Sequence, residues 1–277
     1  MNHAVAVITG VSSGIGNATA RALVARGYRV FGTARSETSI VPEKVERVLL
    51  DVRDGESIER GVDEVLAKAG HIDLLVNNAG GSLNGAFEET PLGQARDLFE
   101  LNFFGAVRMT QAVLPAMRAR KSGRIVFVSS VLGFLPAPFM GFYAASKHAL
   151  EGLAESLDHE TRTLGIRVAL VEPGYTRTNF DSNGSSAPAL IADYAAALDR
   201  TRAKMRAALS AGDEPEMVAE AVLEAATSKK PRLRYPAGSR AGLLRRLRRY
   251  LPASILDGAL RKEFGLDDTG AKHASFP

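Results

Sequence analysis

Tyr143 and Lys147 are the residues of this sequence whose types and spacing best suit chemistry. Because they stand four residues apart, they would lie one turn from each other on the same face of a helix. A nearby positive charge favours a phenolate, so we expect Lys147 to lower the pKa of Tyr143. Such a tyrosine exchanges a proton near neutral pH, as the interconversion of a carbonyl and an alcohol requires. Alone the pair is weak evidence for a catalytic site, because Tyr-x-x-x-Lys also occurs by chance on solvated helices.

A glycine-rich turn near the N-terminus predicts a phosphate-binding site. Residues 9–16 read Thr-Gly-Val-Ser-Ser-Gly-Ile-Gly and lie between a predicted strand and a predicted helix. Glycines let the chain turn tightly and let a pyrophosphate approach bare backbone. The helix N-terminus adds unpaired N–H groups and a partial positive charge. The spacing is Gly-x-x-x-Gly-x-Gly rather than the Gly-x-Gly-x-x-Gly fingerprint. We predict a dinucleotide site, with a ligand-free strand–helix connection as the alternative.

The end of the second predicted strand indicates which dinucleotide would bind. In such sites an acid about 20 residues beyond the glycines accepts the ribose 2′-hydroxyl. Here Ala34 stands at that point, and Arg35 follows it. Arginine suits a phosphate, whereas an acid would repel one. The sequence thus favours NADP(H), with NAD(H) as the alternative, because Arg35 could also be a solvated arginine and Glu37 stands nearby.

Apolar runs rich in β-branched residues alternate with helical patterns along the chain. This alternation predicts an α/β fold with a doubly wound parallel sheet and helices on both faces. The strands are predicted at 5–9, 29–33, 47–51, 72–77, 123–129 and 166–172. The helices are predicted at 15–26, 57–69, 91–121, 143–164, 189–211 and 215–228.

Neither a second domain nor a repeat is visible, so residues 1–277 are predicted to form one domain. Its core would be 4–235, and the less regular region 179–215, with a loop at 183–188, would lie near the substrate. Residues 236–277 would form a basic, amphipathic, helical C-terminal extension.

Composition narrows the classes of protein that this chain could be. The 277 residues include no cysteine, which excludes disulfides, thiolate nucleophiles and cysteine metal sites. Neither a secretory signal nor a run of about 18 apolar residues is seen, so we expect a soluble, cytoplasmic protein. The net charge of +4 is uneven, because residues 229–249 hold nine Lys or Arg and no acid. The five histidines show no metal-ligand spacing, and we expect no metal.

Further motifs follow in a fixed order along the chain. They are Asp51-Val52, Asn77-Asn78-Ala79-Gly80, Asn102, Ser130 at 13 residues before Tyr143, Pro173-Gly174 and Thr178. With the glycine turn and the Tyr–Lys pair, residues 4–180 resemble the short-chain dehydrogenase/reductase family. Within that family, the basic C-terminal tail is similar to those of hydroxysteroid- and retinol-dehydrogenase-like members, in which C-terminal elements help to shape the substrate pocket. The resemblance implies a Rossmann-type NADP-binding domain.

The resemblance also implies roles for individual residues. Tyr143 would be the acid/base on the substrate oxygen, and Lys147 would lower its pKa and hold the ribose. Ser130, with Ser129 as the weaker alternative, would stabilise charge on the carbonyl oxygen, and Asn102 would hold a water in a proton relay. The implied cofactor-binding residues are Gly10, Ser12, Ser13, Gly14, Ile15, Gly16, Arg35, Asp51, Val52, Asn78, Ala79, Gly80, Tyr143, Lys147, Pro173, Gly174, Thr176 and Thr178.

The substrate would be a small lipophilic carbonyl or alcohol. Residues 131–142 are apolar and proline-stiffened, and they separate the serine from the tyrosine. They would line the pocket or, equally, pack against the helix at 143–164 or another subunit. Tyr175 and Phe180 would add apolar surface.

The basic segment 240–251 could pack on its own domain or on a membrane surface. If the segment is helical, one of its faces carries the apolar residues Leu243, Leu244, Leu247, Tyr250 and Leu251. We expect them to pack on their own domain rather than on a membrane surface, and we expect no nucleic-acid binding. The family resemblance implies a homodimer or homotetramer through the helices at 91–121 and 143–164.

The leading hypothesis is an NADP(H)-dependent oxidoreductase acting on a carbonyl and a secondary alcohol. A dinucleotide-binding regulator or scaffold without turnover is the alternative from another class, and a peripheral membrane enzyme held by its tail is a third. The presence of Asn102, Ser130, Tyr143 and Lys147 together favours the enzyme.

Overall fold

In the part of the chain that the structure describes, seven parallel strands form the central sheet. The structure, a computed structural model, describes residues 3–178, 184–187 and 191–267. The sheet strands are β1 (Val5–Ile8), β2 (Arg29–Ala34), β3 (Val45–Leu49), β4 (Leu74–Asn77), β6 (Gly123–Val128), β7 (Ile166–Pro173) and β9 (Arg234–Ala237). Their order is β3-β2-β1-β4-β6-β7-β9. Two short strands, β5 (Leu83–Asn84) and β8 (Ser185–Ser186), pair separately.

Helices cover both faces of the sheet, which is why the strands are apolar on both sides. The helices are α1 (Gly14–Ala25), α2 (Gly55–Ala69), α3 (Leu92–Phe99), α4 (Gly105–Arg120), α5 (Gly141–Thr161), α6 (Ala192–Ser210), α7 (Pro215–Thr227), α8 (Ala241–Tyr250) and α9 (Ala253–Glu263). Leu23 of α1 and Val222 of α7 belong to the buried cluster on one face. Met109 of α4 and Leu150 of α5 belong to that on the other. The predicted fold class is confirmed.

The direction of the strand order reverses between β1 and β4, which are hydrogen-bonded neighbours. In doubly wound sheets, ligands bind outside the carboxyl ends of the strands at such a point. The turn after β1, the segment after β4 and the residues that end β6 and β7 therefore converge there.

Two predicted elements differ from the structure. The helix predicted at 91–121 is interrupted by a π-helical turn, Glu100–Phe104, and the strand predicted at 47–51 lies at Val45–Leu49. A π turn adds a residue to the helical turn, and the 3.6-residue apolar pattern on either side does not reveal it.

The strand β9 was missed, and it crosses the predicted boundary between core and extension at 235/236. It is short, it contains Pro236, and it pairs with β7 at the sheet edge, where a proline is tolerated. Arg234 at its start also makes it look polar.

The extension is helical, as predicted, over the part that the structure describes. Leu244, Leu247 and Leu251 are half-buried, whereas Leu243 and Tyr250 are exposed, so the predicted apolar face packs only in part. Within the described residues, no helix has both the length and the apolar character needed to cross a bilayer.

Candidate active site

The glycine turn after β1 leaves backbone open at the start of α1. Gly10 and Gly14 have φ angles of +73° and +55°, in the left-handed region that favours glycine. A Cβ on Gly16 would lie 2.1 Å from the Gly10 carbonyl oxygen, so only glycine fits. Ser13, the N-cap of α1, makes no side-chain capping hydrogen bond, and Ser12 and Ser13 are exposed. The free N–H groups of this helix end suit an anionic phosphate.

Asn78 links the segment after β4 to this turn by hydrogen bonds. Its side-chain Nδ2 donates to the carbonyls of Thr9 at 2.8 Å and Gly10 at 3.0 Å. The backbone N–H groups of Asn78 and Ala79 both donate to the Thr9 hydroxyl at 2.9 Å. Thr9, which the sequence did not single out beyond its place in the turn, therefore holds the two loops in register.

Arg35 and Asp51 lie beyond the ends of β2 and β3. Arg35 is exposed. The Asp51 carboxylate pairs with Arg53 at 2.6 Å, and this pair, with a smaller contribution from Arg35, holds the pKa of Asp51 below its usual range. Val52 is buried against Gly105, where a Cβ would lie 2.8 Å from it. The guanidinium of Arg35 therefore places an exposed positive charge beyond the end of β2.

Ser130 and Tyr143 meet at the carboxyl end of β6. A side-chain hydrogen bond joins them and lowers the pKa of the phenol, but burial has the larger effect and raises that pKa to about 12. The expectation of a phenol with a net lowered pKa is therefore wrong for this structure, because burial raises the pKa of Tyr143 overall. Both groups are buried, and removing a phenolate from water outweighs the interactions that favour it.

Lys147 lies one turn beyond Tyr143 on α5, and it is only 4% exposed. Its Nζ lies 5.8 Å from the centroid of the Tyr143 ring and donates to the Val128 carbonyl at 3.0 Å. Burial lowers the pKa of Lys147 to about 8, although the Glu151 carboxylate opposes this. The spacing therefore places the pair on one helix face, as predicted.

Asn102 lies inside the π-helical turn, and it is buried. Its Oδ1 accepts from the Gly81 N–H at 2.8 Å, and its Nδ2 donates to the Gly81 carbonyl at 3.0 Å. The same Nδ2 donates to Ser146 at 3.1 Å. A Cβ on Gly80 would lie 3.2 Å from Asn102 Oδ1 and 3.7 Å from Lys147 Nζ. The π-helical turn thus brings Asn102 to the segment 80–81, which Lys147 also faces. The role of Asn102 in holding a water stays a prediction.

The segment after β7 reaches the glycine turn. Thr178 lies against Gly14, where a Cβ would be 3.2 Å from its methyl group. Thr176 is buried, and its hydroxyl donates to the Gly174 carbonyl at 3.2 Å. The Gly174 N–H donates to Ala237 of β9 at 3.1 Å, which fixes the end of β7. Tyr175 is half-buried, and Phe180 lies outside the described residues.

Tyr143 belongs to a buried apolar cluster that the sequence predicted only in part. Ala137 and Met140, from the apolar segment 131–142, belong to it as expected. Met205 of α6 and Phe264, just beyond α9, were not anticipated. Half-buried residues pack against this cluster: Leu132, Phe142, Leu260 and Leu266. The C-terminal extension therefore contributes side chains beside the phenol, although its sequence shows mainly an amphipathic pattern.

Comparisons with known proteins show the family to which this chain belongs. The family profile described as short chain dehydrogenase matches residues 4–188. A curated relative from Bacteroides thetaiotaomicron, named 3-ketodihydrosphingosine reductase, is 34% identical over 264 residues, covering 94% of this chain and 98% of its own.

Two solved structures extend the likeness to three dimensions. A short-chain dehydrogenase from Streptomyces avermitilis is 38% identical with a TM-score of 0.81, covering 95% of this chain and 98% of its own. A short-chain dehydrogenase from Burkholderia cenocepacia, in complex with NADP, is 26% identical with a TM-score of 0.74, covering 94% and 98%. The chain belongs to the short-chain dehydrogenase family, and it is an oxidoreductase of that family, as the resemblance implied.

Proposed function

We propose that this protein is an NADP(H)-dependent oxidoreductase that interconverts a carbonyl and a secondary alcohol on a lipophilic small molecule. The hydrogen bond between Ser130 and the buried phenol of Tyr143 carries the proposal. The two side chains would meet one substrate oxygen, with Lys147 a turn away on the same helix.

The residues at the turn fit a dinucleotide. The open N-terminus of α1 suits its pyrophosphate, and the glycine positions leave no room for a side chain between Gly16 and Gly10. Arg35 would pair with a 2′-phosphate, which favours NADP(H), and the Burkholderia relative is described with NADP. Asp51, Val52, Ala79 and Gly80 would lie along the adenine and ribose side. When bound, the nicotinamide supplies or accepts the hydride.

The protein's own groups would handle the proton and the developing charge. A phenol with a pKa raised to about 12 is protonated at neutral pH, so Tyr143 would donate a proton from its hydroxyl to the carbonyl oxygen. Ser130 would donate a hydrogen bond to the same oxygen. The buried ammonium of Lys147 would stabilise the phenolate that the transfer leaves behind. Asn102 would hold the water through which the proton is replaced.

The apolar cluster around Tyr143 supports a lipophilic substrate. Its half-buried members, including Phe142 and Leu260, would contact an alkyl or ring system beside the reacting carbonyl. The Bacteroides relative is named as a reductase of 3-ketodihydrosphingosine, a name that describes a ketone. A ketone on a long apolar chain is accordingly the first substrate class to test.

The decisive experiment compares wild type with Tyr143→Phe. Wild type should oxidise NADPH in the presence of lipophilic ketones, 3-ketodihydrosphingosine among them. The variant should lose turnover by about 10²-fold or more and still quench or enhance NADPH fluorescence. A wild type that binds NADPH but is inert toward a broad panel of carbonyls would instead support the dinucleotide-binding regulator.

We also propose assembly as a homodimer or homotetramer through α4 and α5. Phe104, the last residue of the π-helical turn that precedes α4, is exposed and makes an edge-to-face pair with Phe103, so it offers apolar surface to a second copy. Light scattering of wild type and Phe104→Asp tests this, and a monomeric wild type at micromolar concentration would contradict it.

A further inference from the structure

One side of α8 presents large apolar side chains to solvent. Leu243 and Tyr250 stand seven residues apart, which is two turns, so they lie on one face of the helix and form an apolar strip. They are 50% and 74% exposed. Leu244 and Leu247 of the same helix are half-buried. The helix therefore packs on its own domain along one side, as expected, and leaves the strip uncovered on another.

Arginines surround the apolar strip. Arg246, Arg248 and Arg249 are exposed, and α8 contains no acidic residue. Within the described part of the chain, none of these three has an ion-pair partner. Arg246 stands three residues after Leu243 and four before Tyr250, so it lies between them. The guanidinium of Arg249 lies 5.7 Å from the centroid of the Tyr250 ring.

Arg245 points the other way and fixes α8 to the sheet. Its Nη1 lies 2.5 Å from Oε1 of Glu172 in β7, which is 0% exposed. The same guanidinium lies 5.2 Å from the centroid of the Phe134 ring. Breaking an ion pair with a buried acid is costly, so α8 stays on the domain. The apolar strip is therefore a formed surface that a partner can meet without refolding the helix.

The partner that fits this surface is an anionic lipid bilayer. A helix with an apolar face flanked by arginines lies at the boundary between headgroups and acyl chains, and tyrosine favours the same boundary. Each arginine near an anionic leaflet adds attraction. The charge distribution would also orient the molecule. Residues 229–249 carry nine Lys or Arg and no acid, whereas the other residues carry 26 Lys or Arg against 31 Asp or Glu.

Two other partners fit the surface less well. A second copy docked through the same face would bring the arginines of two α8 helices together, and like charges repel. A nucleic acid would pair its phosphates with the arginines, but phosphates offer no apolar contact to Leu243. Of the three, the bilayer alone offers acidic headgroups and hydrocarbon at one surface.

We propose that α8 docks on the surface of an anionic phospholipid bilayer. Leu243 and Tyr250 enter the boundary between headgroups and acyl chains, and Arg246 and Arg249 contact the acidic headgroups. Arg245 holds the other side of the helix on the protein.

The docked surface would lie next to the proposed substrate pocket. The turn at 251–252 joins α8 to α9. Leu260 of α9, and Phe264 just beyond it, pack in the apolar cluster that contains Tyr143. A lipophilic ketone dissolved in the bilayer would thus reach the pocket from the membrane side. This consequence rests on the proposed function, whereas the docking itself does not.

Flotation of the full chain with lipid vesicles tests the docking. Vesicles of phosphatidylcholine and phosphatidylglycerol in about a 2:1 ratio should carry wild type up the gradient, and pure phosphatidylcholine should bind it about 10-fold more weakly or less. Raising the salt from about 0.1 to about 0.5 M shortens the Debye length and should release most of the protein. A wild type that does not float with the anionic vesicles overturns the proposal.

Charge-reversing variants test the location. Arg246→Glu combined with Arg249→Glu should weaken binding to the anionic vesicles by about 10-fold or more. Lys229→Glu combined with Lys230→Glu is the matched control. Both lysines are exposed and belong to the same basic stretch, but they precede β9, whereas α8 follows it. This control should bind within about threefold of wild type, and equal losses in the two double variants would remove α8 from the contact.

Apolar variants test the strip itself. Leu243→Ala combined with Tyr250→Ala should weaken binding by about 10-fold. Ile40→Ala combined with Met217→Ala is the control, because these side chains are 77% and 47% exposed elsewhere on the molecule, and it should bind like wild type. Thermal melts followed by circular dichroism check that the variants keep the wild-type fold.

A single tryptophan reports whether the strip enters the bilayer. The chain contains no tryptophan, so Tyr250→Trp places a lone indole on the strip. Its emission should shift to the blue with anionic vesicles, and lipids brominated on their acyl chains should quench it. Ile40→Trp should show neither effect. An indole at residue 250 that stays in water would contradict the docking.

The alternative partners and the proposed function give distinguishable results. A dimer that Leu243→Ala with Tyr250→Ala abolishes, in a protein that binds no vesicles, would assign the strip to a second copy. Binding of single-stranded RNA without binding of vesicles would assign it to a nucleic acid. If wild type floats with anionic vesicles but reduces no ketone, the proposed function fails and the docking stands.

Discussion

The side chain of Ser130, which follows β6, hydrogen-bonds to the phenol of Tyr143 on α5. Ser129, one residue earlier, is turned away: its hydroxyl lies beside Gly133, where a Cβ would be 2.6 Å from it. Adjacent residues of an extended chain point to opposite sides, and Ser130 is extended, with φ of −166° and ψ of 162°. The structure therefore distinguishes two serines that the sequence could separate only by spacing.

Ser130→Ala should lower kcat/KM for ketone reduction by about 10²-fold, because it removes a donor aimed at the oxygen where charge develops. Ser129→Ala is the matched control and should change kcat/KM by less than about threefold, since its hydroxyl has no partner among the described residues. Steady-state kinetics with one ketone and saturating NADPH measure both. Equal losses in the two variants would remove Ser130 from its proposed role.

The pH dependence of the reaction should follow Lys147 rather than Tyr143. Burial raises the pKa of Tyr143 to about 12 and lowers that of Lys147 to about 8. As pH rises through 8, the ammonium loses its proton while the phenol keeps its own, so the phenolate formed in the reaction loses its stabilising charge. The kcat/KM for reduction should fall above that pH, and a profile that stays flat to pH 10 would contradict the assignment.

Much of this site could be predicted because it depends on short-range patterns. The glycine turn, the spacing of Tyr143 and Lys147, and the alternation of strands and helices each express a backbone requirement within a few residues. The structure accordingly has Gly10, Asn78, Ser130 and Tyr143 at the carboxyl edge of one sheet.

The pKa of Tyr143 could not be predicted in this way. A charged neighbour is visible in the sequence, but burial of the phenol depends on residues that are distant along the chain, such as Met205 and Phe264. The sequence analysis also missed the two buried acids, Glu151 and Glu172, for the same reason. Glu151 and Glu172 read as ordinary helix and strand residues until β9 and α8 bring Arg234 and Arg245 to them.

Asp158 should control acid stability. It is 1% exposed and accepts hydrogen bonds from Arg167 at 2.9 Å and from the Val168 N–H at 2.9 Å. Burial, the largest single effect, raises the pKa of Asp158. The hydrogen bonds from Arg167, Val168 and Arg162 together outweigh burial and hold this pKa at about 2. The folded pKa lies below the unfolded value, so the stabilisation is present above about pH 4 and is lost as pH falls toward 2.

Asp158→Asn should therefore lower the free energy of unfolding by about 2 kcal/mol at pH 7. Urea unfolding at pH 7 and near pH 3 measures this, and the difference from wild type should shrink at the lower pH. Glu160→Gln, an exposed change on the same helix, should leave stability within about 0.5 kcal/mol. A difference that does not depend on pH would show that packing, rather than charge, makes Asp158 important.

Arg35 should decide between the two cofactors. Its guanidinium is exposed beyond β2, and a charge-assisted bond to a 2′-phosphate is worth about 1.5–3 kcal/mol. Arg35→Ala should thus raise the Kd for NADPH by about 10- to 100-fold and leave the Kd for NADH nearly unchanged, because NADH has no 2′-phosphate. Fluorescence titrations with both cofactors measure the ratio of the two Kd values.

Arg53→Ala is the control. Arg53 already forms an ion pair with Asp51 at 2.6 Å, so its loss should change the Kd values for both cofactors alike. Tighter binding of NADH than of NADPH by wild type would assign the site to NAD(H) and leave Arg35 as a solvated arginine.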